Sequence, residues 1–304
     1  HQSSLLLTLS NFCKFYNLSL ESIYRYDKYT WNKLLYEAEI IQQINDINQM
    51  EIQRAIYRKW FQCNSFVYLN YILQLAKNNF LIHGNESPEE VLMLNMLYYD
   101  LWQEPNSRFN SLKEAIEKIG ENQDLVVEII EVLQMLINRI GHIEYVAELN
   151  FTLPLRVHSR YTKDQILAGL GESSFTKKSS NREGVLSISH LNTELLFVTL
   201  EKSEEHYSPT TMYNDYAMSD VIFHWQSQNS AREDRGRGLA YTQQRLNGQN
   251  ILLFVRETNK NQYKTTNSFV FLGKVNYIDH YGSKPMSINW KLERSIPAYL
   301  WKDT

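Results

Sequence analysis

Near Asn150 the spacing of apolar residues changes from three and four to two, and this change limits the possible folds more than any other feature. Upstream, Leu125, Ile129, Val132, Leu133 and Leu136 form the stripe of a helix facing a core. Downstream, runs rich in β-branched and aromatic residues alternate with polar turns. These runs are Gly184–Ser189, Glu194–Leu200, Val221–Gln226, Ile251–Glu257, Phe269–Ile278 and Met286–Glu293. One segment cannot satisfy both periods, so an α+β chain of two domains is expected. Residues 1–150 read as an all-α helical coupling domain and residues 151–304 as a β-rich reader domain.

In the first part, helices are predicted over Leu5–Phe15, Leu20–Tyr26, Tyr29–Ile47, Gln49–Gln62 and Phe66–Lys77, the last capped by Ser65. Another begins at Ser87-Pro88-Glu89-Glu90, a capping box with proline in the first turn, and stops before Pro105. No internal repeat points to a solenoid. In the second part, Thr162 and Gln165 form a second capping box, predicting a short helix from Lys163 to about Leu170, closed by Gly169 and Gly171. That helix followed by six strands suggests a curved antiparallel barrel. The connections Glu201–Asp220, Asn229–Asn250 and Thr258–Ser268 are long, and loops of that length are where binding is expected.

Several chemistries lack a motif. Cys13 and Cys63 belong to no metal-binding pattern and read as buried thiols. The histidines of the second half, His158, His190, His206, His224 and His280, form no ligand pair at helical spacing, so no metal is expected. Nucleotide-binding, zinc-protease and serine-hydrolase motifs are missing. Asp164, Asp215 and Asp220 could pair as acid and base, but caps and turns account for them more simply. A non-catalytic chain without cofactor is expected. No apolar window is long enough for a membrane span and no signal peptide is seen, so no membrane partner is expected. The chain starts HQSS, as a piece of a longer protein would.

The densest chemistry lies in Tyr207–Gln228. Tyr207, Tyr213, Asp215 and Tyr216 occupy a loop opened by Ser208-Pro209. In the strand that follows, alternation puts Val221, Phe223 and Trp225 on one side and Ile222, His224 and Gln226 on the other. One side reads as core, and the side with His224 and Gln226 as a pocket or groove. Flat aromatic walls, a carboxylate and amide groups suit a planar heteroaromatic ring such as a nucleobase. Tyr213, Tyr216 or Trp225 would stack, and Asp215 would read an amino edge. The same aromatics also suit a plain core with a rim cluster.

The net charge of −3 divides unevenly: residues 151–304 hold 19 Lys+Arg against 15 Asp+Glu, a balance of +4, which leaves −7 on the first 150. A mildly basic half fits a polyanion. Arg156, His158, Arg160 and Lys163 surround the start of the short helix, whose free N–H groups could bind an anion. Lys177 and Lys178 follow in a Ser-rich loop with Arg182, and Arg232, Arg235, Arg237 and Arg245 lie after Trp225. These side chains are candidates for DNA-backbone contacts.

Five separated stretches, RVHSRYTKDQILAGLGE, REGV, NTELLFVTLEKSEEHYSPTTMYNDYAMSDVIFHWQSQNS, LLFVRE and FLGKVNYIDHYGSKPMSINWKLE, resemble an uncharacterised C-terminal domain found on bacterial superfamily-two helicases. The arrangement is similar to SauUSI-type type IV restriction enzymes, in which a phospholipase-D-like nuclease and a DEAD-type helicase precede this region. The resemblance implies a cytoplasmic bacterial enzyme that cuts DNA carrying 5-methylcytosine or 5-hydroxymethylcytosine. It implies that residues 151–300 form an SRA-like or PUA-like barrel that flips the modified base. ATP and magnesium would belong to the motor, and the partners would be modified duplex DNA, the helicase and nuclease of the same chain, and possible second copies in a homodimer. A protein-interaction or dimerisation region, or a PUA-like RNA-binding module, stays open as an alternative.

Overall fold

The structure, a computed structural model, describes residues 8–24, 29–105, 108–201, 215–261, 265–298 and 300. The chain forms two compact units. The first comprises residues 1–142, 152–155 and 160–179, and the second 143–151, 156–159 and 180–304.

The first unit contains α1 (Leu9–Tyr16), α2 (Leu20–Tyr24), α3 (Trp31–Glu37), α4 (Gln49–Arg58), α5 (Phe66–Lys77), α6 (Pro88–Leu101), α7 (Leu112–Glu117) and α8 (Gln123–Ile137). A two-residue strand, β1 (Arg160–Tyr161), and helix α9 (Lys163–Gly169) follow. Both expected capping boxes form, at Ser87 with Glu90 and at Thr162 with Gln165. The helix predicted over Tyr29–Ile47 ends at Glu37: Glu39 turns left-handed and Ile40 is exposed, so no buried face sustains it. Helix α7, capped by Ser111, is too short to show a stripe and was not predicted.

Two buried carboxylates tie the helices together. Glu128 accepts hydrogen bonds from the Tyr24 hydroxyl and from the backbone N–H groups of Trp31 and Asn32. Asp100 accepts from Trp60 Nε1 at 3.0 Å, the Tyr68 hydroxyl at 2.8 Å and Gln165 Nε2 at 3.0 Å. Burial pushes the Asp100 carboxyl up to about 6 although Lys59 opposes the shift. The Gln165 contact, with Gly169 packed against Leu155 and Met96, places α9 in the helical unit. This differs from the sequence expectation, which puts the helix at the opening of the β domain.

The second unit contains β2 (Val185–Ile188), β3 (Thr193–Glu201), β4 (Tyr216–Ser219), β5 (Ile222–Gln226), α10 (Gly236–Thr242), α11 (Gln244–Asn247), β6 (Asn250–Thr258), β7 (Phe269–Tyr281) and β8 (Ser287–Leu292). Its strand order is β2-β3-β6-β7-β8-β5-β4. This corrects the expected barrel. The sheet is open, with β2 and β4 at its edges, and it is mixed, because β3 and β6 run parallel. Parallel neighbours need a crossover. Helices α10 and α11 lie in that connection, inside the stretch Asn229–Asn250 read from sequence as loop.

The central pair β3 and β6 is apolar on both faces, as a doubly covered parallel pair should be. One face joins Leu196, Val198, Leu253 and Val255 to Phe223, Trp225 and Trp290 in the main core. On the other, Phe197, Phe254 and Phe271 stack at centroid distances of 5.4 and 4.7 Å. A bulge between β6 and β7 is met at Gly273, whose φ of +91° only glycine adopts without strain and whose missing Cβ leaves room for Val157.

Candidate nucleic-acid interface

Strand β5 sorts its side chains as alternation predicts. Phe223 and Trp225 enter the main core, and His224 lies on the opposite face. Trp225 is 4% exposed, so its ring is part of the core and cannot stack on a base. That corrects its inclusion in the predicted pocket.

Strand register lines up four residues across four strands on the His224 face. Tyr216 on β4 is paired with His224 on β5, His224 with Asn289 on β8, and Asn289 with Asp279 on β7. The side chains are in contact along this row. The Tyr216 and His224 rings are 4.8 Å apart and 32° from parallel. His224 Nδ1 is 2.9 Å from Asn289 Oδ1, and Asn289 Nδ2 donates to Asp279 Oδ1 at 2.6 Å. Tyr281 also stacks on His224, 5.8 Å away and 20° from parallel. His224 is 3% exposed within this stack, whereas Tyr216 is 45% and Tyr281 60% exposed. Two exposed aromatic rings on the outside of the sheet thus lie against a buried imidazole, one stacked on it and one tilted.

The remaining predicted pocket residues divide. Asp215 Oδ1 accepts the Gln226 N–H at 2.9 Å, so one carboxylate oxygen is engaged in holding the end of β5. Gln226 is half-buried beside it. Tyr207 and Tyr213 lie outside the described residues. Sequence reading missed Asp279, Tyr281 and Asn289. The alternation of β8 around the core residue Trp290 could have put Asn289 on the outer face, but only strand pairing places Asp279 and Tyr281 beside it.

The basic candidates divide between the two units. Arg160, Lys163, Lys177 and Lys178 belong to the first unit, and Arg156, His158, Arg235 and Arg237 to the second. Lys178 donates to Gln103 O and to Glu104, and Lys177 lies 3.8 Å from Glu172. At the start of α9 the capping box occupies the turn, and Asp164 pairs with Lys59 at 2.5 Å. An acidic side chain there opposes the anion site expected from sequence. His158 has a φ of +76°, gives its backbone N–H to Phe271 O and meets the Tyr145 ring edge-on at 5.4 Å.

Arg237 is exposed, yet its guanidinium is engaged within the unit. Its Nε lies 3.0 Å from Glu194 Oε1, and its other nitrogens donate to Gln228 and Ser187. Glu194 is buried and also accepts from Tyr241 and Ser187. Arg237 thus neutralises a carboxylate sunk in the core. Arg235 is exposed at the rim of an open cavity of about 420 Å³ lined by Gln228, Ser230, Arg232, Arg235, Gly236 and Arg237. Arg232 is held there by a two-point pair with Asp234.

Among the described residues no cluster of His, Cys, Asp and Glu could hold a metal ion, and no helix is long and apolar enough to cross a membrane. Fold and site together define an α+β chain whose β unit carries an exposed aromatic stack beside an amide–carboxylate row. Residues 155–304 match the family described as a domain of unknown function, DUF3427. No curated protein matches the chain.

Proposed function

We propose that the second unit is the non-catalytic recognition module of a modification-dependent, type IV restriction enzyme, binding 5-methylcytosine or 5-hydroxymethylcytosine in duplex DNA. The observation that carries this reading is the three-ring cluster of Tyr216, His224 and Tyr281 with two rings exposed. A nucleobase stacked on such a ring gains about 1–3 kcal/mol, and every base has a flat face to offer. The polar groups of Asn289 and Asp279 lie beside the stack, where the edge of an extruded base can be read. The resemblance to SauUSI-type enzymes suggests modified cytosine as the ligand, with an ATP-driven motor and a nuclease elsewhere in the full-length protein. The helical unit would couple the reader to that motor.

Fluorescence titrations with methylated, hydroxymethylated and unmodified duplexes test the proposal. Tighter binding of a modified duplex, weakened by Tyr281→Ala and Tyr216→Ala, is expected. Equal affinity for all three would overturn recognition of the modification, and failure to bind any would overturn the nucleic-acid reading. A docking role for the same face is favoured by edge strand β4, which exposes Met218 beside Tyr216. Concentration-dependent dimers abolished by Met218→Lys, without DNA binding, would establish that role instead.

A further inference from the structure

The hydrogen-bonded row beside the stack has a direction. A carboxylate only accepts hydrogen bonds, so Asp279 must be met by the amide NH2 of Asn289, as its 2.6 Å contact with Nδ2 shows. That turns the amide oxygen of Asn289 to the other side, where it lies 2.9 Å from His224 Nδ1. An amide oxygen only accepts, so Nδ1 of His224 carries the proton. In a neutral imidazole the second nitrogen then has a bare lone pair. The orientation passes from Asp279 on β7 through Asn289 on β8 to His224 on β5, three residues that strand pairing puts side by side.

We propose that Asp279 and Asn289 are positioning residues that hold His224 in the Nδ1–H tautomer, so that the site offers Nε2 as a hydrogen-bond acceptor and selects rings carrying an exocyclic amine. This rests on the nucleobase reading of the Tyr216–His224–Tyr281 stack and adds the selection rule. Cytosine, with its N4 amine, is accepted, and uracil or thymine, with a carbonyl at that place, is refused. A methyl or hydroxymethyl group leaves the amine in place, so the rule acts on the cytosine edge and is separate from recognition of the modification.

Two measurements on the full chain test it. Long-range ¹H–¹⁵N spectra of the imidazole groups at pH 8, with the His224 signals assigned through His224→Gln, should show Nδ1 protonated and Nε2 bare. In Asp279→Asn the Asn289 amide is free to turn, and the spectrum should become a mixture of tautomers. A protonated Nε2 in the wild type, or an unchanged spectrum in Asp279→Asn, would overturn the proposal. This readout needs no ligand, so it decides the tautomer even if the nucleobase reading fails. In titrations of oligonucleotides with 5-methylcytosine or thymine at one position, the wild type should prefer 5-methylcytosine on the order of tenfold. Asp279→Asn should lower that preference to about twofold or less while general binding persists. Binding of both bases with equal affinity by the wild type would overturn the selection rule while leaving the nucleic-acid reading intact. Failure to bind either would overturn the rule together with that reading.

Discussion

Replacing Arg237 by alanine separates a structural arginine from a DNA-binding one. Glu194 is buried, with a side chain 2% exposed, and Arg237 is the cation beside it at 3.0 Å. Removing one partner of a fully buried pair costs about 3–5 kcal/mol, because the other charge is left in a low-dielectric site. The Arg237 side chain is 37% exposed, so water can replace part of what is lost. The hydroxyls of Tyr241 and Ser187 still donate to Glu194. A loss of about 2–3 kcal/mol is therefore expected for Arg237→Ala, with less for Glu194→Gln, which removes the charge together with its need for a partner. At about 2–4 °C per kcal/mol this corresponds to a fall of several degrees in Tm. Urea titration followed by tryptophan fluorescence would measure it, since Trp225 and Trp290 lie in the adjoining core. A loss below about 0.5 kcal/mol, combined with weaker DNA binding, would refute the structural assignment and return Arg237 to the phosphate-contact group.

Asp100 provides a pH test. Burial raises its carboxyl from 3.8 to about 6, so the folded state favours the protonated form. The stability it contributes is full below the unfolded value of 3.8, falls as pH rises to about 6, and is level above that, a change of about 3 kcal/mol. Relative to wild type, Asp100→Asn should gain about 2–3 kcal/mol more at pH 7 than at pH 4 in urea titrations, and a pH-independent difference would disprove the shift. Trp225→Ala should lower stability by about 3–5 kcal/mol, whereas Tyr281→Ala, at an exposed ring, should change it by about 0.5 kcal/mol or less while weakening DNA binding. Thermal melts alongside the binding titrations would expose the reverse pattern. Gly273→Ala forces a side chain into a left-handed bulge 3.2 Å from Val157 and should cost about 1–3 kcal/mol by chemical denaturation, with neutrality counting against the bulge geometry.

Local signals in the chain were sufficient for most of its longer helices and strands, but not for the short helices α7, α10 and α11 or for the early end of α3. The capping boxes at Ser87 and Thr162 and the helix Phe66–Lys77 follow from contacts within a few residues, so their sequence signatures survive folding intact. The alternation of Phe223, His224 and Trp225 likewise determines which side chains share a face, because successive side chains of a strand must oppose. Partners distant in sequence decided the rest. The apolar run of β3 suits a central strand, but nothing local says that its neighbour is β6 or that the pair is parallel, and this pairing leaves the sheet mixed. Arg237 looks like any loop arginine until β3 brings Glu194 against it, and α9 follows Asp100 into the helical unit. The aromatic stretch Tyr207–Gln228 was visible as a cluster, yet its described members divide between core, strand end and outer face. On that outer face the polar partners of His224 come from residues 279 and 289, because hydrogen bonding across strands follows register rather than sequence order.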